Sequence, residues 1–522
     1  MPVHILVMLI GYIVWQSKLI ALLNRPSACL ISGALMVFAY APFSQAWLVF
    51  FLLQPLWLAA QHPDPNTRIW RGLLFGVGYF PIGAYWFIQT LREHLDYSWP
   101  VALGGHLLIT GACALAPTTF SWLGGYIKAR PIPRLIALAA LWIVIEDIRF
   151  QAFGGGPWLS LGLSQIDMPL AGLYPIFGEV GTSFFVAMVV GLVAFTFMST
   201  DATQDKHLYK SRIANSIGLI SLIMLLSQFL KTVPWTEAVG EKQAVALVQT
   251  AVSQQERQNL ETQTNRLEHL ASLSEPFLGK AKFIIWPETV VTLNRQDVME
   301  KLEALNAKAM FARSTMLVGA YEPSMTGMRF NTAFTLGYES GQTYRKRHLV
   351  PFGEYVPGPL TFLNGHVPGD VYRSQGRSPA LIANSGVLYG ISICWEGSFS
   401  RDIAPLTKSG AHVLVNIANE AWFAGSSLPA QNLDAMRVRA IENGRFSVRV
   451  ANLGPSAIID ETGHLNAVLE ADSPSGILAY VQPRVGMTPF MLLGEDFISL
   501  SALLCILMII IKSNRKMNSS ER

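Results

Sequence analysis

This chain is short of charge. Only 14% of its 522 residues are Asp, Glu, Lys or Arg, where a soluble domain carries about 25%. With 51% apolar residues and a mean hydropathy of +0.34, it has too little polar surface to be wholly soluble, and a polytopic membrane protein is expected. The net charge is only +4 and no Lys/Arg-rich arm occurs, so nucleic acid is not an expected partner. Neither C-x-x-C nor H-E-x-x-H is present, so a metal site has no support and no cofactor is expected. Cysteine is scarce too: Cys29, Cys113, Cys394 and Cys505. Three of these lie in long apolar runs, where a thiol is an ordinary small packing residue. Cys394 alone lies in a water-soluble context, with no partner nearby in the same phase, which argues against a disulfide.

Apolar runs long enough for about 30 Å of hydrocarbon occur near 25–42, 44–62, 70–90, 100–127, 135–150, 172–198, 213–230 and 488–511. The run 3–16 is short for a span and lacks the basic start and cleavage site of a signal peptide, so it is a candidate extra helix. Basic residues orient the spans. With Lys18 and Arg25 in the cytoplasm, the cytoplasmic loops carry Arg68 and Arg71, Lys128, Arg130 and Arg134, then Lys206, Lys210 and Arg212, and the tail carries Lys512, Arg515 and Lys516. Five segments follow: an N-terminal extension (1–24), a bundle of about seven helices (25–230), a large outer domain (231–487), a last span (488–511) and a basic cytoplasmic tail (512–522). In a Gram-negative bacterium the outer side is the periplasm.

Segment 231–487 has ordinary charge content. Strand-like runs at 244–250, 282–288, 315–322, 331–337, 387–396, 412–420, 445–452, 456–460 and 476–483 alternate with helical patterns near 253–275, 296–312, 398–409 and 429–443. Near-continuous apolar strands covered by helices predict an α/β layer arrangement. Three segments at strand ends carry ionisable groups: "FIIWPE" ends on Glu288, "YRKRHLVPFGEYVP" (344–357) holds Lys346 and Glu354, and "GISICWE" ends on Cys394 and Glu396. A thiol needs a base, and acyl transfer needs a donor for the developing oxyanion. A cysteine, a carboxylate and an ammonium converging at one sheet edge meet both needs. Each residue also has a plainer reading. Cys394 alone reads as a packed thiol, Glu288 as a loop carboxylate, Lys346 as one of a solvated basic cluster, and "PFGEYVPGP" as a Pro/Gly turn.

The order and wording of these motifs resemble the nitrilase (carbon–nitrogen hydrolase) superfamily. Over roughly 25–511 the whole chain resembles its membrane-embedded branch, the apolipoprotein N-acyltransferase family. The match includes "IIWPE" (284–288), "YRKRHLVPFGEYVP", "ICWE" (393–396), "NEAWFAGS" (419–426) and "RVRAIENGR" (437–445), with "LWIVIEDIR" (141–149) and "GPWLSLGLSQIDMPL" (156–170) in the membrane part. The resemblance implies an α-β-β-α sandwich inserted as an extracytoplasmic domain in a polytopic α-helical protein of the bacterial inner membrane. It implies Glu288 as general base, Lys346 as oxyanion stabiliser and Cys394 as nucleophile. Glu354 would support the base and the substrate amine, and Glu396 with Trp395 would line the mouth over the thiol. The implied reaction takes an acyl chain from a phospholipid, typically phosphatidylethanolamine, through a thioester to the amine of a diacylated apolipoprotein. Segments 357–370 and 419–429, the latter with Trp422 and Phe423, are candidate lids that keep water from a thioester; for Trp422 and Phe423 core packing is the alternative. Glu146 and Arg149, at the end of a short span, would either pair with each other or meet a lipid head group.

The chain departs from the family's wording in five places. Gln258 stands where a tryptophan is usual, Trp395 where a tyrosine is, and Asn432 where a histidine is; "WFAG" and "NLG" (452–454) replace "WFG" and "NTG". None falls on the implied triad. Two other readings stay open: a divergent paralogue acting as a membrane-tethered nitrilase-type amidase or hydrolase or as an acyltransferase with another acceptor, and a non-catalytic receptor or transport role.

Overall fold

The computed structural model describes residues 21–93, 95–152, 155–197, 206–259, 262–292, 296–323, 329–358, 373–378, 381–470 and 472–520. The candidate helix 3–16 and most of the candidate lid 357–370 lie outside the described residues. The N-terminal half is helical: α1 (Pro26–Leu35), α2 (Pro65–Gly83), α3 (Trp86–Glu93), α4 (Trp99–Gly124), α5 (Pro131–Gln151), α6 (Tyr174–Phe197) and α7 (Lys206–Leu230), with short helical turns between them. Proline opens α1, α2 and α5 where its missing N–H costs no helical bond. Asp64 caps α2 by accepting from the backbone N–H of Asn66 and Thr67.

Among the described residues four helices are long and apolar enough to cross a membrane: Trp99–Gly124, Pro169–Thr196, Lys210–Leu230 and Glu495–Asn514. Their outward faces carry bare aliphatic side chains, with Leu108 75%, Leu225 70% and Met508 63% exposed. Contiguous apolar surface of this kind suits lipid, not water. The expected runs 25–42 and 44–62 are not continuous helices. The first is α1 ending in a 3-10 turn at Met36–Ala39, the link Tyr40–Gln45 lies at the expected boundary, and the second is divided into two short helices, Val49–Leu52 and Gln54–Ala59. Arg68 and Arg71 are buried in the first turns of α2 instead of standing in a loop. Small residues let these helices touch backbone to backbone. An added Cβ on Gly33 of α1 would meet the Phe75 carbonyl oxygen of α2 at 2.1 Å, and one on Gly76 would meet Ala114 of α4 at 2.6 Å.

The second half is a four-layer sandwich. One sheet has the order β14-β2-β3-β5-β6-β7, built from β2 (Gln243–Gln249), β3 (Phe283–Ile285), β5 (Thr315–Pro323), β6 (Arg329–Gly337), β7 (Thr343–Arg345) and β14 (Ser475–Val481); β4 (Val291–Thr292) pairs with β5 off this path. The other sheet has the order β13-β12-β11-β10-β9-β8, from β8 (Leu381–Asn384), β9 (Val387–Ile393), β10 (Val413–Asn419), β11 (Phe446–Asn452), β12 (Ser456–Ile459) and β13 (Leu465–Leu469). Their inner faces share one core, including Leu247, Phe283, Ile391, Val415 and Val448. Outside, α8 (Gln263–Ser274) and α9 (Gln296–Phe311) cover the first sheet, while α10 (Ser400–Lys408) and α11 (Leu428–Asn443) cover the second. A small pair, β1 (Glu237–Ala238) with β15 (Arg484–Val485), closes the neck before α12 (Glu495–Ser520).

Charge joins the sandwich to the helices. Gly178 (φ +64°) breaks α6, and the freed N–H of Glu179 donates to Glu442 of α11 at 2.7 Å. Arg439 bridges Glu179 (2.5 Å) and Glu442 (3.0 Å). Arg401 at the start of α10 reaches Asp147 of α5 and Glu495 of α12, at 2.8 and 2.7 Å.

The glycine contacts give a direct test. Gly33→Ala should destabilise the protein in detergent by about 1–3 kcal/mol, because a backbone neighbour cannot move aside. Gly111→Ala, where an added Cβ meets nothing within 4 Å, should be neutral or stabilising. Thermal melting of the two variants checks the contrast.

Candidate active site

Each candidate group stands where an apolar strand stops. β3 runs into Trp286 and Pro287, and Glu288 follows. The Trp286 indole donates to Ser274 at 2.9 Å, anchoring that turn. A Cβ on Gly319 of β5 would lie 2.3 Å from the Pro287 carbonyl oxygen, so only glycine lets the turn settle there. Lys346 follows β7, its N–H donating to the Asn331 carbonyl at 2.8 Å and extending the β6–β7 pairing. Cys394 follows β9 and opens a 3-10 turn, Cys394–Ser398, with φ +58°. A left-handed conformation costs a non-glycine residue about 1–2 kcal/mol.

Glu288, Lys346 and Cys394 converge. The Lys346 ammonium is 1% exposed and lies 3.4 Å from Glu288 Oε1 and 3.0 Å from Glu354 Oε2. Asn331, missed in the sequence, donates to both carboxylates, at 2.6 Å to Glu288 and 2.9 Å to Glu354. Glu288 Oε2 accepts the Asn419 N–H from the end of β10 at 2.8 Å, and Glu354 Oε2 accepts the Val350 N–H at 2.8 Å. Burial alone would depress the Lys346 pKa. Glu354, Glu288 and Cys394 outweigh it and hold the ammonium well above the usual lysine range. The Cys394 thiol goes up, first because it is desolvated and then because Glu288 faces it, with Lys346 opposing. At rest the site therefore holds a thiol beside a carboxylate, with a permanent cation within their field.

The supporting candidates divide. Glu354 joins the cluster. Glu396 does not line a mouth: it is fully buried and accepts from the Ile393 N–H (2.7 Å), the Arg347 N–H (2.8 Å), the His348 N–H (3.0 Å) and the Tyr344 hydroxyl (2.9 Å). The 3-10 turn folds this carboxylate back onto its own strand end, where it ties the Cys394 turn to the Lys346 segment. Trp395 is also buried, donating to the His348 carbonyl at 2.8 Å and packing between His348, Phe399 and Trp158. Glu146 and Arg149 do not pair. Glu146 accepts from the Leu161 N–H at 3.0 Å, while Arg149 donates to the Gly156 and Trp158 carbonyls at 2.6 and 2.7 Å. Trp422 and Phe423 are half-buried at the seam with α3. Thr90 donates to the Trp422 carbonyl at 3.0 Å, and the Phe423 ring lies 5.2 Å from Trp86. Trp86 and Trp158, 5.0 Å apart, complete an aromatic row from the helices to Trp395. The side chain of Gln258 lies outside the described residues, and Asn432 donates to Glu420 at 3.1 Å.

A nitrilase-like sandwich set on an apolar helical body defines the class. The family model described as carbon-nitrogen hydrolase matches residues 244–488, and that described as the apolipoprotein N-acyltransferase N-terminal domain matches residues 32–192. The apolipoprotein N-acyltransferase of Methylococcus capsulatus is 32% identical over 480 residues, covering 89% of this chain and 92% of that protein. Those of Haemophilus influenzae and Pasteurella multocida are each 29% identical, over 480 and 495 residues, covering 89% and 92% of this chain and 90% and 94% of those proteins. The chain belongs to the apolipoprotein N-acyltransferase family.

The electrostatics give a signed prediction. In a background with Cys29, Cys113 and Cys505 changed to alanine, alkylation of Cys394 by iodoacetamide should rise only well above the ordinary thiol midpoint of about pH 8.5. Glu288→Gln should move the midpoint down, by removing a charge that opposes the thiolate. Lys346→Met should move it up. Opposite displacements in the pH–rate profile would contradict the assignment of these charges.

Proposed function

We propose that this membrane acyltransferase moves a fatty acyl chain from a phospholipid, through a thioester on Cys394, to the N-terminal amine of a diacylglyceryl-cysteine lipoprotein. Glu288 takes the thiol proton as Sγ attacks the donor's ester carbonyl, and the Lys346 ammonium donates to the oxyanion that forms. The tetrahedral intermediate collapses to the thioester. The leaving glycerol oxygen takes the proton from Glu288, releasing lysophospholipid. In the second half the lipoprotein amine attacks the thioester, Glu288 accepts the amine's proton, and the thiol is restored. The observation that carries this reading is the buried Glu288–Lys346–Glu354 cluster beside a cysteine held at positive φ. Family membership supports the lipid donor and the lipoprotein acceptor.

In this reading residues 25–230 and 488–511 lie in the bacterial inner membrane, the tail 512–522 is cytoplasmic, and 231–487 face the periplasm; the loop charges support that orientation. Phosphatidylethanolamine is the donor in this proposal. Arg149, stacked near Phe80 and Phe150 at 5.2 and 5.1 Å, would meet its phosphate. Trp422 and Phe423 would shield the thioester from water.

Purified protein in phosphatidylethanolamine vesicles should gain a hydroxylamine-labile acyl adduct that Cys394→Ala abolishes. Lys346→Ala should slow its formation by about 10²–10³, as loss of an oxyanion donor does. Intact-mass spectrometry reads both. Continuous fatty-acid release with no adduct passed to an amine would favour a hydrolase, and a well-folded sample with neither adduct nor turnover would sink both.

A further inference from the structure

We infer that Asn416, locked by Arg449, is a positioning residue that fixes the Cys394 peptide for thioester formation. This rests on the proposed role of Cys394. Ser392, Asn416 and Arg449 are direct register partners across three parallel strands, β9, β10 and β11. Their side chains form a polar row within a sheet whose alternate residues, Ile391, Val415 and Val448, belong to the inter-sheet core. All three polar residues are buried, with Asn416 0% and Arg449 1% exposed.

The amide of Asn416 has one workable orientation. Its Oδ1 accepts from Arg449 Nη1 at 2.5 Å, and an arginine can only donate. The Nδ2 group must therefore face the other way, where it donates to the Cys394 carbonyl at 2.9 Å and to Ser392 Oγ at 3.0 Å. Arg449 is held in turn by a short ion pair with Glu420, which also accepts from Asn432 at 3.1 Å. The chain Glu420–Arg449–Asn416 thus ends on the carbonyl of Cys394, a non-glycine residue held at φ +58°. Fixing that peptide plane fixes where the Cα–Cβ bond points, and with it the position of Sγ relative to Glu288 and Lys346. The same strand, β10, supplies the Asn419 N–H that holds Glu288, so one element sets both the nucleophile and the base.

Asn416→Asp separates positioning from folding. The new carboxylate keeps a partner in Arg449 and keeps the volume, but an ionised oxygen faces the Cys394 carbonyl in place of a donor. In full-length protein with phosphatidylethanolamine vesicles, single-turnover acylation of Cys394 should fall about 100-fold, with half-saturating donor concentration within threefold of wild type and a melting temperature lowered only by the few degrees that one lost buried hydrogen bond costs. Acylation within threefold of wild type, or a loss carried by donor affinity, overturns the inference. Should Asn416→Asp fail to fold, Arg449→Lys decides. A single ammonium can pair with Glu420 but cannot also fork to Asn416, so acylation should fall about tenfold, and an unchanged rate overturns the inference. Wild-type protein that forms no adduct sinks the parent reading instead, whereas wild type and Asn416→Asp acylating alike sink only the role of Asn416.

Discussion

A lysine with 1% of its side chain exposed cannot keep its charge unless carboxylates surround it, and here Glu288 and Glu354 do so at 3.4 and 3.0 Å. Breaking such a buried set by removing one member costs about 3–5 kcal/mol. The arrangement is therefore fixed by the fold and not by chance encounters of flexible side chains. It also defines the chemistry. In the proposed reaction one carboxylate is free to take a proton because the other neutralises the ammonium, and the ammonium can hydrogen-bond an oxyanion because it keeps its own protons. Asn331, donating to both carboxylates at 2.6 and 2.9 Å, keeps the two from drifting into contact.

The second requirement is that this site meet its lipid. The aromatic row Phe423, Trp86, Trp158 and Trp395 runs from the seam with the helices to the residue beside the thiol, with neighbouring rings 5.0–6.2 Å apart. The buried charges of Glu179, Arg439 and Glu442, with the Arg401 cluster, hold sandwich and helices in one register. A cysteine that takes an acyl group from a membrane needs both halves, because neither alone brings an ester carbonyl to Sγ.

Much of this was legible in the sequence, for identifiable reasons. The strands at 387–393, 413–419 and 446–452 were visible because they are near-continuous apolar runs. The cluster of Glu288, Lys346 and Glu354 near Cys394 was visible because ionisable residues interrupt the ends of such runs. Glu396 was misread because a carboxylate two residues after a cysteine looks like part of a site, whereas its turn folds it back onto the Ile393 N–H. Asn331 carried no signal, since its neighbours in the cluster are set by the β6–β7 pairing and not by sequence distance. The first two expected runs meet apolar helices at Pro26–Ala39 and Ala46–Ala59, with the gap between them at Tyr40–Gln45, but hydropathy does not register how short and interrupted those helices are. Nor does it register a backbone approach such as that at Gly33.

The central claim is transfer of an acyl group from lipid to amine through Cys394. Purified protein, vesicles of phosphatidylethanolamine with an isotope-labelled acyl chain, and a diacylated lipopeptide with a free α-amine test it in one reaction read by tandem mass spectrometry. The account predicts a labelled acyl group on that amine, absent with Cys394→Ala. Label recovered only as free fatty acid, with the peptide left diacylated, would contradict it.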